Sequence, residues 1–166
     1  MSELVDLFST SSMSTPFSLE SHVQGMLTFE AALAHAEAHS GIIPQEAAML
    51  IEAACKVELF DVAALYREAA LAGTPAIPLV RMLTARVKDK AGSTGNAYRF
   101  IHWGATSQDA IDTAIMLQMR DGLDLLLDGL YEMCTACATL AEQHRRTLMA
   151  GRTLLQQALP ITCGLK

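Results

Sequence analysis

Residues His102-Trp-Gly-Ala-Thr-Ser-Gln-Asp109 set an imidazole, two adjacent hydroxyls and a carboxylate within eight positions, just before a long apolar-periodic run. An imidazole exchanges protons near neutral pH. Thr106 and Ser107 fall where the following helix must begin, with Asp109 three positions after Thr106. That spacing is close to a capping box, in which hydroxyls take up orphan backbone N–H groups and a carboxylate occupies the first turn. Free N–H groups and two hydroxyls at a helix start also suit an anion. The residues alone leave both readings open, a capped helix or an anion site with His102 beside it. A second polar cluster, Gly151-Arg-Thr-Leu-Leu-Gln-Gln157, carries Arg152, Thr153 and Gln156.

Two other spacings bear on metal or redox chemistry. His35 and His39 are four apart on an expected helix, without a third ligand in view. The ordinary reading is a polar helix face. Cys134 and Cys137 form a C-x-x-C deep inside an expected helix, with no second pair and no flanking strand pattern, so core packing is expected. No metal site is assigned.

The elements that must position these groups read as helices throughout. Residues 1–17 form an irregular, serine-rich lead-in. Ser18 caps a helix to about His39, stopped by Gly41, and Pro44 opens the next, to about Glu58. A third runs from about Asp61 to Leu71, ahead of Gly73 and Pro75, and Pro78 opens a fourth, to about Lys90. The stretch 91–97 is glycine- and serine-rich and reads as a flexible loop leading to His102. From Gln108 to about His144 one long helix, roughly 55 Å in length, is expected, with Ile111, Ile115, Met119, Leu123, Leu126, Leu130, Met133, Cys137 and Leu140 making a single apolar seam along it. Four shorter helices cannot cover such a seam, which calls for other long helices in the same chain or in partners. Residues 147–153 read as a loop and 154–166 as a further helical or mixed segment, stopping mid-pattern. The expected class is all-α: an N-terminal helical domain over 1–100, then the start of a long-helix bundle over 101–166.

Composition sets bounds. The chain has 166 residues, 51% hydrophobic but only 5% aromatic, as suits closely packed helices. A mean hydropathy of +0.27 is high for so small a chain and implies burial against other surfaces. A net charge of −6 with no basic run argues against nucleic acid as a partner. No run reaches the ~18 continuous apolar residues of a membrane span. The start carries Glu3 and Asp6 without a basic segment and does not read as a signal peptide. The expected compartment is the cytoplasm.

The 102–109 and 151–160 segments, with Gly25-Met-Leu27, Phe29 to Ala34, Pro75 to Val80 and Ala158 to Lys166, resemble the fumarase/aspartase superfamily from about residue 4 to the last residue. The Thr-Ser segment is a superfamily signature. Trp103, Gln108 and the Leu-Leu-Gln-Gln run are more narrowly similar to its carboxymuconate cycloisomerase family.

The resemblance implies homotetramers built on bundles of long helices. Each active site then gathers three sequence regions from three subunits. It implies a small anionic polycarboxylate substrate and no cofactor. Thr106 and Ser107 would hold a substrate carboxylate, and His102 would hydrogen-bond the substrate or assist proton transfer. Thr153 and Gln156 would contribute from a neighbouring subunit. Arg152 is the evident cation there, equally suited to fixing the loop. The third region, a glycine- and serine-rich loop bearing the base, has no counterpart in these 166 residues, so the polypeptide by itself is expected to be inactive. Several lyases of the superfamily have histidine where this chain has Leu154, and leucine cannot exchange a proton. That favours a cycloisomerase over a fumarate-releasing lyase of the adenylosuccinate lyase type. A non-catalytic helical oligomerisation module is the reading from a different class.

Overall fold

The computed structural model describes residues 8–91 and 95–166. The fold is all-α apart from one small hairpin. Six helices occur among the described residues: α1 (Ser11–Ser14), α2 (Leu19–His39), α3 (Gln45–Glu52), α4 (Val62–Ala72), α5 (Ala76–Ala91) and α6 (Ser107–Gln143). Strands β1 (Leu148–Thr153) and β2 (Gln156–Thr162) follow. The chain divides into two compact units, the first running to Gly122 and the second from Leu123 to Lys166.

In the first unit, local chemistry sets the helix ends. The Ser18 hydroxyl accepts from the Ser21 N–H at 3.1 Å, and the Asp61 carboxylate accepts from the Ala64 N–H at 2.9 Å. Gly73 closes α4 with φ +75°, a conformation that costs glycine nothing. The expected helix ending near Glu58 ends at Glu52 instead. Gln24 on α2 accounts for the early stop: its amide oxygen accepts from the Val57 N–H at 2.9 Å and its amide nitrogen donates to the Cys55 carbonyl at 3.3 Å. A side chain 31 to 33 positions away thus satisfies backbone groups that would otherwise have continued the helix, and a 3-10 turn (Val57–Leu59) follows. The start of α5 lies two residues ahead of Pro78, at Ala76. Within the serine-rich lead-in, Thr10 caps the single turn of α1; residues 1–7 lie outside the described residues, as do 92–94 of the expected flexible loop.

The core is aliphatic. Val23, Met26 and Leu27 of α2, Ile51 of α3, Leu65 of α4, and Leu79, Leu83 and Val87 of α5 are each at most 1% exposed. Each such side chain contributes roughly 1.5–3 kcal/mol on leaving water. The first part of α6 closes the layer through Ala110, Ala114, Gln118 and Gly122, buried at every fourth position. Gln118 ties that face down: its amide nitrogen donates to the Pro16 carbonyl at 2.7 Å and its oxygen lies 3.0 Å from His22 Nδ1.

The buried face of α6 is therefore not the apolar seam read from the sequence. Ile115, Met119, Leu123, Leu126, Leu130, Met133 and Leu140 are all exposed in this chain, between 37% and 55%. Small residues, not large ones, let α6 approach α2, which leaves the large ones for other surfaces. Cys134 and Cys137 are likewise exposed rather than packed in a core, because every residue from Leu123 to Leu140 is exposed.

In the second unit the stretch expected as a loop followed by a helical or mixed segment is an antiparallel hairpin, with Leu148 opposite Thr162 and Thr153 opposite Gln156. A bulge falls between Ala150 and Arg152, where a β-carbon on Gly151 would meet the Leu159 carbonyl oxygen at 2.6 Å. Both faces are largely exposed, so no apolar alternation marks these strands in the sequence. No helix among the described residues is long and apolar enough to cross a membrane.

Candidate active site

His102 lies in the connection between a 3-10 turn (Ala97–Phe100) and α6. Ala97 and Ile101 anchor that connection in the core. The backbone then turns back sharply, with φ +57° at His102 and +70° at Gly104. For a non-glycine residue a positive φ costs of order 1–3 kcal/mol and persists where surrounding structure imposes it. Here the imposing contact is visible. The ring nitrogen Nδ1 lies 2.6 Å from the Glu30 carboxylate oxygen Oε1, on the middle of α2. The Glu30 side chain is 1% exposed and that of His102 15%. The second carboxylate oxygen, Oε2, is buried without a partner among the described residues. Burial raises the Glu30 carboxyl above the usual carboxylate range, and the contacts with His102 oppose that shift.

At the start of α6 the Thr106 N–H donates to Asp109 Oδ2 at 2.9 Å, and the Asp109 N–H donates to the Thr106 carbonyl at 3.0 Å. Half of the expected capping box is thus present, the half made by the carboxylate. The hydroxyls of Thr106 and Ser107 make no hydrogen bond among the described residues. They are spare groups at a helix N-terminus, in the same loop as His102.

A cleft of about 700 Å³ opens beside Trp103, Gly104 and Ala105. Its charged lining is entirely acidic: Glu37, Asp109 and Asp112. Glu37 is 7% exposed with Oε2 unpartnered among the described residues, and burial, then the charge of Glu30, raises its carboxyl as well. Any anion bound next to these groups requires cations from outside this cleft.

The other expected site residues lie in the second unit. Thr153 and Gln156 pair across the hairpin end and flank Leu154 and Leu155, which are 89% and 97% exposed. Leu155 has φ +59°. A cleft of about 580 Å³ is lined by Arg152, Thr153, Gln156 and Gln157 among others. Arg152 is exposed and makes no ion pair among the described residues. Thr153, Gln156 and Arg152 thus share one polar cleft, while His102, Thr106 and Ser107 share one loop of the first unit. Glu30 escaped the sequence reading. It stands 72 positions before His102 inside an apolar stretch of α2, and only a carboxylate on an otherwise buried face signalled it. His35, expected on a polar helix face, pairs with Glu52 at 2.9 Å.

Residues 3–166 match the model of a protein family described as lyase. The chain belongs to that lyase family. Within it, the chain is 48% identical over 163 residues to 3-carboxy-cis,cis-muconate cycloisomerase of Bradyrhizobium diazoefficiens, covering 98% of this chain and 36% of that protein. It is 47% identical to the enzyme of the same name from Pseudomonas putida, covering 96% of this chain and 37% of that protein. The crystal structure of 3-carboxy-cis,cis-muconate lactonizing enzyme from Pseudomonas putida superposes with a TM-score of 0.88 at 45% identity, covering 95% of this chain and 35% of that one. This chain therefore spans little more than a third of the length of these relatives. The family is enzymatic, of the fumarase/aspartase superfamily, and the helical fold of this lyase chain matches that of its solved relative.

Proposed function

We propose that the whole protein is a 3-carboxy-cis,cis-muconate cycloisomerase acting in protocatechuate catabolism. A carboxylate oxygen of the substrate adds to a double bond of the same molecule, a C–O bond forms, and the displaced electron pair takes up a proton on the neighbouring carbon. The product is the isomeric 4-carboxymuconolactone. The single observation that carries this reading is the loop 102–107, which sets an imidazole held by a buried carboxylate beside two unengaged hydroxyls at a helix N-terminus. Thr106 and Ser107 hold a substrate carboxylate through hydroxyl and backbone N–H. His102 hydrogen-bonds the substrate or moves the proton.

Thr153 and Gln156 serve a site of a neighbouring subunit in a homotetramer. The exposed seam of α6 supports that assembly, since a helix with so many exposed leucines and methionines is covered when other long helices pack on it. Arg152 in the same polar cleft supplies a cation that the acidic cleft beside Trp103 does not. We read residues 1–100 as the N-terminal domain and 101–166 as the start of the bundle. A substrate panel on the whole protein, followed by ultraviolet absorbance, tests the proposal. Consumption of 3-carboxy-cis,cis-muconate is expected. Turnover only of adenylosuccinate or another fumarate-releasing substrate would overturn it in favour of a lyase, against which the exposed Leu154 already counts.

A further inference from the structure

We infer that Glu30 is the positioning residue of His102: its buried carboxylate accepts the Nδ1 hydrogen, so that Nε2 is the atom with which His102 meets the substrate. The role of His102 in the reaction rests on the function proposed above; the pairing itself does not.

Three observations converge on it. The first is the short contact, 2.6 Å between Nδ1 and Oε1, at the short end of what an imidazole N–H and a carboxylate reach when the bond is charge-assisted, ordinarily about 2.7–2.9 Å. The second is burial: a carboxylate 1% exposed among Val23, Met26, Leu27 and Ala34, on a helix face whose one other carboxylate among the described residues is Glu37 at 7% exposed, has no packing advantage over a leucine. Desolvating it costs several kcal/mol unless a partner offsets the cost. The third is the backbone of His102, held at φ +57° in the residue that makes the contact. The pairing and the turned backbone together aim one ring nitrogen at α2.

The consequence is chemical. An imidazole whose Nδ1–H is engaged by a carboxylate is fixed in one tautomer and one rotamer, and its Nε2 carries the free lone pair. Among the described residues Nε2 has no partner. Without Glu30 the ring is free to flip and to populate the other tautomer, in which Nε2 bears hydrogen and cannot accept it. Glu30 touches no substrate in this scheme and acts only through His102.

The test has two arms. In the first, two-bond 1H–15N correlation spectra of the imidazoles are recorded on the protein at about pH 8.5, above the ordinary histidine range, with His102 assigned by its disappearance in His102→Gln. The expected spectrum shows His102 protonated at Nδ1 and bare at Nε2, and in Glu30→Gln a mixture of tautomers. A ring protonated at Nε2 in the unmodified protein overturns the inference, and that reading stands even if Glu30→Gln fails to fold.

In the second arm the whole protein is assayed with whichever substrate it turns over. Glu30→Gln is expected to lower kcat about 10²-fold with KM within about threefold, as for loss of an oriented acid–base group. Glu30→Asp, which keeps the charge on a shorter arm, is expected to recover part of that loss. An unchanged kcat in a folded Glu30→Gln protein refutes the positioning role. Absence of cycloisomerase turnover in the unmodified protein strikes the proposed function instead and leaves the tautomer result to decide the pairing.

Discussion

Gly25→Ala tests the helix crossing on which the candidate site depends. A β-carbon on Gly25 would sit 2.8 Å from both Cα and Cβ of Ala114, about 0.6 Å inside the 3.4 Å at which ordinary contacts begin. The obstructing Cα is backbone, so no side chain can rotate away, and α2 and α6 must separate. Overpacking of this kind costs about 1–3 kcal/mol. Alanine returns about 1 kcal/mol of helix propensity over glycine. The net expectation is a loss of about 1 kcal/mol, which for a unit of this size lowers Tm by about 3–6 °C. Glu30 follows Gly25 by five residues and Ser107 precedes Ala114 by seven, or about 7 and 10 Å along their helices. Wedging the crossing therefore also lengthens the Glu30–His102 contact. Thermal unfolding followed by circular dichroism reads the stability, and the same experiment on Gly129→Ala supplies the contrast. No atom of the described residues lies within 4 Å of a β-carbon on Gly129, so that substitution is expected to stabilise α6 by about 0.5–1 kcal/mol. If Gly25→Ala melts at or above the unmodified protein, the close approach of α2 and α6 is wrong.

Glu37→Gln is expected to leave Tm nearly unchanged at about pH 3.5 and to raise it at about pH 8. Its carboxyl is held above the ordinary range, so the folded state binds more protons than the unfolded one, and stability is lost as pH rises from the unfolded value, about 4.3, through the raised folded one. A variant that is no more stable at pH 8 than the unmodified protein would show that the orphan oxygen carries no penalty. On the function proposed above, Ser107→Ala in the whole protein is expected to lower kcat/KM by at least about tenfold without changing Tm; near-normal kinetics would reduce Thr106 and Ser107 to a helix start. Arg152→Met is expected to raise KM for a polycarboxylate by about tenfold or more, whereas unchanged KM with a lowered Tm would make Arg152 a fixture of its hairpin.

Local chemistry reached far along this chain. The caps at Ser18 and Asp61, the stop at Gly73 and the extent of α6 all follow from side chains within a few positions of the backbone groups they satisfy. The 102–109 segment was likewise legible as a polar helix entrance because its hydroxyls, imidazole and carboxylate are consecutive. What escaped was decided by residues distant in the chain. Gln24 ends α3 by taking the Val57 N–H from 33 positions away, where helical periodicity alone would have run on. The seam of large apolar residues named the most hydrophobic face of α6, but Ala110, Ala114, Gln118 and Gly122 form the face that packs: Ala114 lies against Gly25 of α2, where only small side chains fit, Gly122 lies against Phe17, and Gln118 is held by Pro16 and His22. The hairpin at 148–162 carries no alternation, since both of its faces are largely exposed and its order comes from paired backbone groups. Glu30 and His102 stand 72 positions apart, and neither has a neighbour in sequence that betrays the other. Helix ends and helix spans are short-range properties of the backbone and its nearest side chains. The pairing of a buried carboxylate with an imidazole exists only once packed helices have excluded water around both.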